Sequence, residues 1–257
     1  MFARPRTLLL GSVMDLLQDR QAVVDTFIRA YAYLQNSLPG TTLTALGDLM
    51  CLHFGKTFDG IADEYFAIEQ DPDRVVQAIR QAEGAAAHWL TVFTDFPEET
   101  QAAYLARGYD SDEEQFLMGR RLDGIQLSRS SIPVHRAARL IEIEAINQAR
   151  GFRVIYPGFL TDTRIEVYYA GTPDNPAAWG SALLVDEETI YLANMYTVPD
   201  FRRRGFGSAL LSTILVDAAE GGAKRCILVS SNTGHRMYQK HGFADLWNVE
   251  VFTSVPA

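Results

Sequence analysis

Little in this chain can staple it, span a bilayer with it or hold it on nucleic acid. Its 257 residues include only two cysteines, Cys51 and Cys226, far apart in sequence, which excludes a disulfide framework. No Cys/His spacing suited to a metal is present, so no metal site is expected. The apolar run Leu8–Leu10 is too short for a signal-peptide core or a membrane span. The expectation is a cytoplasmic protein that does not engage membranes. Basic residues are also in deficit: 23 Lys and Arg against 32 Asp and Glu give a net charge of −9, which argues against nucleic acid as a partner. Apolar residues are not lacking, since 47% hydrophobic and 21% charged residues suit an ordinary globular chain. The length allows one large domain or two small ones.

The most informative stretch runs from Thr197 to Leu211, Thr-Val-Pro-Asp-Phe-Arg-Arg-Arg-Gly-Phe-Gly-Ser-Ala-Leu-Leu. A strand over Ile190 to Tyr196 leads in, Pro199 makes a turn, and an apolar helix runs on to about Ala219. At its centre is Arg202-x-x-Gly205-x-Gly207. Glycines at a helix entrance let a ligand come close to the backbone. The first-turn N–H groups have no intrahelical partner, and the helix dipole adds positive potential, so such an end binds phosphate. The glycine pair fits neither G-x-G-x-x-G nor G-x-x-x-x-G-K-[ST]. Gly221-Gly222 then stops the helix, Arg225 to Ser230 reads as a buried strand, Ser231 to Phe243 as a short helix closed by Gly242, and Trp247 to Thr253 as a last strand.

These two segments, Arg202-x-x-Gly205-x-Gly207 and Tyr238-x-x-x-Gly242-Phe243, resemble in order and spacing the GNAT superfamily of acetyl-CoA-dependent N-acyltransferases. The resemblance implies a mixed α/β fold with that family's mixed sheet. The segments upstream follow the same plan: a helix from Val134 to Arg150 with Ile141, Ile143 and Ile146 inward and Gly151 closing it, a strand from Arg164 to Ala170, a turn at Gly171–Pro176, a strand from Trp179 to Val185, and a turn at Asp186–Glu188. Residues 132–257 are therefore expected to be the acetyltransferase domain.

The first half carries a weak repeat of the second. His88 to Thr94 reads as a strand, Pro97 opens a helix that ends in Tyr104-x-x-x-Gly108-Tyr109, and Glu114 to Arg120 reads as another strand. No Gly-x-Gly occurs before residue 88. Residues 1–125 are thus expected to form a degenerate copy without a pyrophosphate loop. It reads as largely helical before residue 88, over Met14–Leu34 and Pro72–Ala87, with Asp71-Pro72 as a start signal. On such ends Asp73 and Glu69 suit the helix dipole, and His53, within the apolar Met50–Phe54, reads as a satisfied, partly buried histidine rather than a base. Leu122 to Ser131 is the linker candidate.

The resemblance also implies roles. Met195, Tyr196 and Thr197 would offer backbone groups to the pantetheine arm of acetyl-CoA. N–H groups from Arg203 through Arg204, Gly205, Phe206 and Gly207 to Ser208 would hold the pyrophosphate, with Arg202 and Arg203 adding charge. Tyr238 would be the general acid that protonates the departing thiolate. The family's asparagine seven residues before that tyrosine is replaced by Ser231, with Asn232 one residue late, so that role stays open between them. No carboxylate lies on Ile190–Tyr196 to serve as general base; Glu188, Glu166, Tyr191, His235 and a water relay all stay open. The implied activity is acetyl transfer from acetyl-CoA to a primary amine by direct attack in a ternary complex. The alternative is a non-catalytic CoA-binding sensor or interaction protein of the same fold. The amine is not identified, and a homodimer stays open.

Overall fold

The computed structural model describes residues 20–58, 60–83, 86–112, 114–123 and 128–254. The run Leu8–Leu10, residues 14–19 of the expected first helix and residues 124–127 of the expected linker lie outside them. In chain order the described elements are α1 (Arg20–Gln35), β1 (Thr41–Leu46), β2 (Leu49–Phe58), β3 (Ile61–Ile68), α2 (Pro72–Glu83), β4 (His88–Thr94), α3 (Pro97–Leu105), β5 (Tyr109–Ser111) and β6 (Gln115–Arg121). There follow β7 (Val134–Arg136), α4 (Leu140–Arg150), β8 (Ile165–Thr172), β9 (Asn175–Leu184), β10 (Thr189–Thr197), α5 (Phe206–Glu220), β11 (Arg225–Ser231), α6 (Asn232–Lys240) and β12 (Ala244–Ser254). The fold is mixed α/β, with parallel and antiparallel strand pairs.

The two halves repeat one order: helix, three antiparallel-paired strands, helix, strand, helix, strand. β1–β2–β3 pair antiparallel and β3 pairs β4 in parallel; β8–β9–β10 pair antiparallel and β10 pairs β11 in parallel. Residues 41–68 correct the largely helical expectation for the first half, because they form three strands. Turn glycines Gly47 and Gly60, both with positive φ, separate the three strands. Within it His53 is exposed, not partly buried as expected, and its Nδ1 lies 2.7 Å from Asp63 Oδ1 across the β2–β3 pair.

The chain divides into two compact units that interleave in sequence. One contains Gly119–Leu228 and Gln239–Phe243. The other contains described residues 20–118, Val229–Tyr238 and 244–254. In the latter, β12 pairs antiparallel with β4, from Asn248↔Thr94 to Thr253↔Trp89, so the last strand of the chain completes a sheet begun by the first half. Its core joins Tyr65, Leu90 and Val92 with Val75, Val76 and Ile79 of α2 and with Tyr104, Tyr109 and Phe252. On α1, Val24, Phe27, Ile28 and Leu34 recur at helical spacing and are buried, and Phe27 meets Phe93 edge to face at 5.7 Å.

In the former unit, α5 and α4 both pack on β9. α5 buries Ala209, Leu210, Leu211, Ile214 and Leu215, which explains why its sequence is apolar nearly all round. Residues 134–136 form strand β7 instead of extending α4, which begins at Leu140. Ile143 and Ile146 are buried as expected, but Ile141 is 62% exposed. At about 100° per residue it lies roughly 200° from Ile143, on the opposite side of the helix.

α4 is held at its start by Glu142. This buried carboxylate accepts N–H groups from Ala138 and Arg139 at 2.9 Å, pairs with the Arg139 guanidinium and receives the Tyr169 hydroxyl. Burial alone would raise its pKa, but these donors outweigh burial and hold it down at about 2. A pKa depressed on folding adds stability that is complete above the ordinary 4.5 and is lost as pH falls towards about 2. Glu142→Gln is therefore expected to melt below the parent at pH 7, with the difference closing between about pH 4.5 and 2; thermal melts across that range check it.

Candidate functional site

β10 departs from a regular strand where the expected pantetheine-binding residues sit. Its ladder with β9 runs from Ile190↔Leu184 to Ala193↔Ser181 and resumes at Tyr196↔Trp179. Asn194 and Met195 thus face Gly180 alone, a β-bulge with Asn194 at φ +56°. Asparagine tolerates the left-handed region better than other non-glycine residues, and its amide donates to Ser181 Oγ at 3.1 Å. Gly180 leaves room for the bulge, since a Cβ there would come within 2.3 Å of Met195 Sδ.

On its other side β10 pairs β11 only over Thr189–Tyr191. From Leu192 to Thr197 it has no ladder partner in β11. The corresponding parallel pair of the first half, β3–β4, is zipped for six residues, Asp63↔His88 to Ile68↔Phe93.

Past β10 the chain turns through Pro199–Phe201 and reaches Arg202, Arg203 and Arg204, all exposed. None of the three forms an ion pair with a described residue. Arg202 Nε donates to Thr197 O at 3.1 Å, and Arg204 lies over the rings of Phe201 and Phe206. Arg203 has φ +59°, and Gly205, at φ +88°, is the residue from which α5 starts. An L side chain there would be strained by roughly 1–2 kcal/mol. Ala209 N donates to Gly205 O at 2.9 Å, so the N–H groups of Phe206, Gly207 and Ser208 precede the helical ladder. Three uncompensated guanidinium groups and a helix N-terminus converge here.

The equivalent junction of the first half has the opposite chemistry. Glu69 and Asp71 stand between β3 and α2, Pro72 brings no N–H, and Asp71 Oδ1 already accepts the Asp73 N–H at 2.9 Å. Asp73 sits in the first turn of α2 and also pairs with Arg107. Asp71 and Asp73 place negative charge at that end, where Arg107 pairs with Asp73.

Tyr196 carries an unanticipated cation. Its ring stacks on Trp179 at 5.0 Å, and the Arg150 guanidinium, from the last residue of α4, lies 4.6 Å from its centre, closer than Arg202 at 5.7 Å.

Tyr238, Ser231 and Asn232 belong to the other compact unit. Tyr238 is buried on α6 with its ring against Gly234, where a Cβ would stand 3.2 Å from Cε2. Ser231 ends β11; Asn232 opens α6 and donates its amide to Glu114 Oε2 at 3.3 Å. Tyr104, the first half's counterpart of Tyr238, is 1% exposed, packs on Phe252 at 4.8 Å, and its hydroxyl has no hydrogen-bond partner among the described residues.

Among the residues left open as bases, three are occupied. Glu188 pairs with Lys224, Glu166 with Arg136 and the Tyr168 hydroxyl, and His235 Nε2 lies 2.6 Å from Asp245 while the ring stacks on Phe116. Tyr191 is buried. The described residues contain no group of three or more His, Cys, Asp or Glu able to hold a metal ion, and none of their helices is long and apolar enough to cross a membrane.

Residues 162–245 match the family model of the acetyltransferase (GNAT) domain. Among solved structures, a GCN5-related N-acetyltransferase from Kribbella flavida superposes with a TM-score of 0.63 at 16% identity, over 89% of this chain and 95% of that one. A GCN5-related N-acetyltransferase from Sphaerobacter thermophilus gives a TM-score of 0.60 at 11% identity, over 80% and 76%. A conserved protein of unknown function from Staphylococcus epidermidis gives 0.57 at 13% identity, over 76% and 86%. At these identities the likeness is one of fold. No curated protein matches the chain.

Proposed function

From the premise that this chain carries a GNAT acetyltransferase domain at residues 162–245, which supports acyl-CoA N-acyltransferase activity, we propose that it moves an acetyl group from acetyl-CoA to a primary amine, with both substrates bound together. The observation that carries this reading is the junction of β10 and α5. Backbone amides of Phe206, Gly207 and Ser208 and the side chains of Arg202 and Arg203 would hold the diphosphate. The unpaired edge of β10 at Met195–Thr197 would pair with the pantetheine amides. Tyr238 would supply the proton that the departing sulfur needs.

The first half, on this reading, is a degenerate copy of the same unit, covering roughly residues 1–125, with 132–257 as the catalytic copy. Supporting this are its similar element order, its acidic junction and its β3–β4 pair, zipped over six residues.

Thiol release from acetyl-CoA, measured with an alkylamine, a polyamine, an arylalkylamine and a lysine-bearing peptide, tests the proposal. Release that depends on one of these amines, with the acetylated product found by mass spectrometry, is the expected result. CoA binding without any amine-dependent release would instead favour a non-catalytic CoA sensor.

A further inference from the structure

Arg150 is the last residue of α4, and Gly151, at φ +88°, turns the chain there. The guanidinium lies over two rings, 4.3 Å from the centre of Phe152 and 4.6 Å from that of Tyr196. Such ring contacts hold a guanidinium in place without using its N–H groups as donors. None of those donors has an acceptor among the described residues. The helix supplies no carboxylate either, since the residues three and four before Arg150 are Asn147 and Ile146. At the opposite end of α4, by contrast, Arg139 is paired with Glu142. Arg202, 5.7 Å from the same Tyr196 ring, is a second cation without an ion pair among the described residues. Two like charges on one ring favour an anion between them. Phe152 is 55% exposed, so the cluster is open to a ligand, and Tyr196 directly follows the bulge of β10. Arg150, Phe152, Tyr196 and Arg202 all belong to one compact unit.

We propose that Arg150 is a carboxylate-binding residue that selects a substrate carrying a carboxylate, either on the acceptor amine or on the acyl group. This rests on the acyl-transfer reading above. On that reading the diphosphate sits at the start of α5 and the pantetheine arm runs back along β10, so Arg150, over Tyr196, stands beside the arm and not at the diphosphate. A guanidinium offers a planar fork of donors that a carboxylate meets with two parallel hydrogen bonds. Lysine keeps the charge and loses the fork. A cation in the last turn of a helix also suits the helix dipole, and lysine serves that role equally well. Arg150→Lys therefore separates recognition of a carboxylate from support of α4.

The test uses matched substrates with the full chain: butylamine against 4-aminobutanoate with acetyl-CoA, and acetyl-CoA against succinyl-CoA with butylamine. In one of the two pairs the parent is expected to favour the carboxylate-bearing member by about ten- to a hundredfold in kcat/KM, the range of a hydrogen bond to a charged group. Arg150→Lys is expected to lose most of that preference while its rate with the neutral member and its melting temperature stay near the parent's. The pair that responds tells whether the carboxylate belongs to the acceptor or to the acyl group. No preference in the parent, or a preference that Arg150→Lys keeps, overturns the assignment. So does a loss of affinity for CoA that 3′-dephospho-CoA does not share, which would place the guanidinium on the cofactor's own phosphate. If the parent transfers no acyl group, the acyl-transfer reading fails by itself, and nitrogen-15 NMR of the Arg150 Nε–H, assigned through the backbone, decides this site as butanoate is added. A saturable downfield shift supports it; no shift, or one that equal chloride reproduces, overturns it. That titration needs no variant, so it also decides the matter if Arg150→Lys fails to fold.

Discussion

Tyr238→Phe is expected to lower turnover by about 10²–10⁴-fold while CoA still binds, the range that a lost general acid typically costs. That corresponds to roughly 3–5 kcal/mol of transition-state stabilisation. The substitution removes one oxygen and leaves the buried ring against Gly234, so the helix that positions it is kept. Steady-state rates beside calorimetric CoA affinity check it; a rate within a fewfold of the parent would remove Tyr238 from the chemistry. Tyr104→Phe is the matched control. That hydroxyl is buried with no hydrogen-bond partner among the described residues, so its removal relieves a desolvated group and is expected to leave stability equal or higher, by up to about 1 kcal/mol, with turnover unaltered. The same residue type in the same local pattern thus gives opposite results in the two halves.

Gly207→Asp is expected to abolish CoA binding. Gly207 is the second residue of α5, beside the N–H groups of Phe206 and Ser208 and next to three arginines that no described carboxylate neutralises. An aspartate there would occupy the anion's place with its own charge. Opposing like charges cost several kcal/mol, so affinity falls by about a hundredfold or more. The same carboxylate stabilises a helix N-terminus by about 0.3–1 kcal/mol, so the melting temperature is not expected to drop for electrostatic reasons. Calorimetry with CoA and a thermal melt together make the test. Unchanged affinity would mean that the thioester carrier binds elsewhere, and would take the acyl-transfer reading with it.

Most strands and helices from 88 onward, β5, β7 and the start of α4 excepted, were legible because their apolar runs are bounded by glycine and proline. Arg225–Ser231 and Asn232–Lys240 fall within a residue or two of where the apolar run and Gly242 place them. Residues 41–68 were not legible. Their polar, threonine-rich β1 and glycine-interrupted β2 gain strand conformation from the β1–β2 and β2–β3 ladders, and no local preference announces it. Ile141 was misplaced because the helix was started six residues early, at Val134 rather than Leu140, which left its facing undetermined. Two signals were visible and passed over: Asn194 within an apolar strand marked the bulge, and Glu250 between Val249 and Val251 marked a charge held inside a buried strand.

The sequence by itself determined the glycine- and arginine-rich start of α5, because glycine conformations, unpaired first-turn amides and adjacent arginine charges are properties of a dozen consecutive residues. It also determined the β–α–β–α–β order around that end. Only the tertiary structure decided that β10 parts from β11 where β3 stays zipped to β4, that the last strand completes the first half's sheet, and that Glu188, Glu166 and His235 have partners. Ladder partners, burial and charge neighbours depend on residues distant in the chain, and no local window holds them.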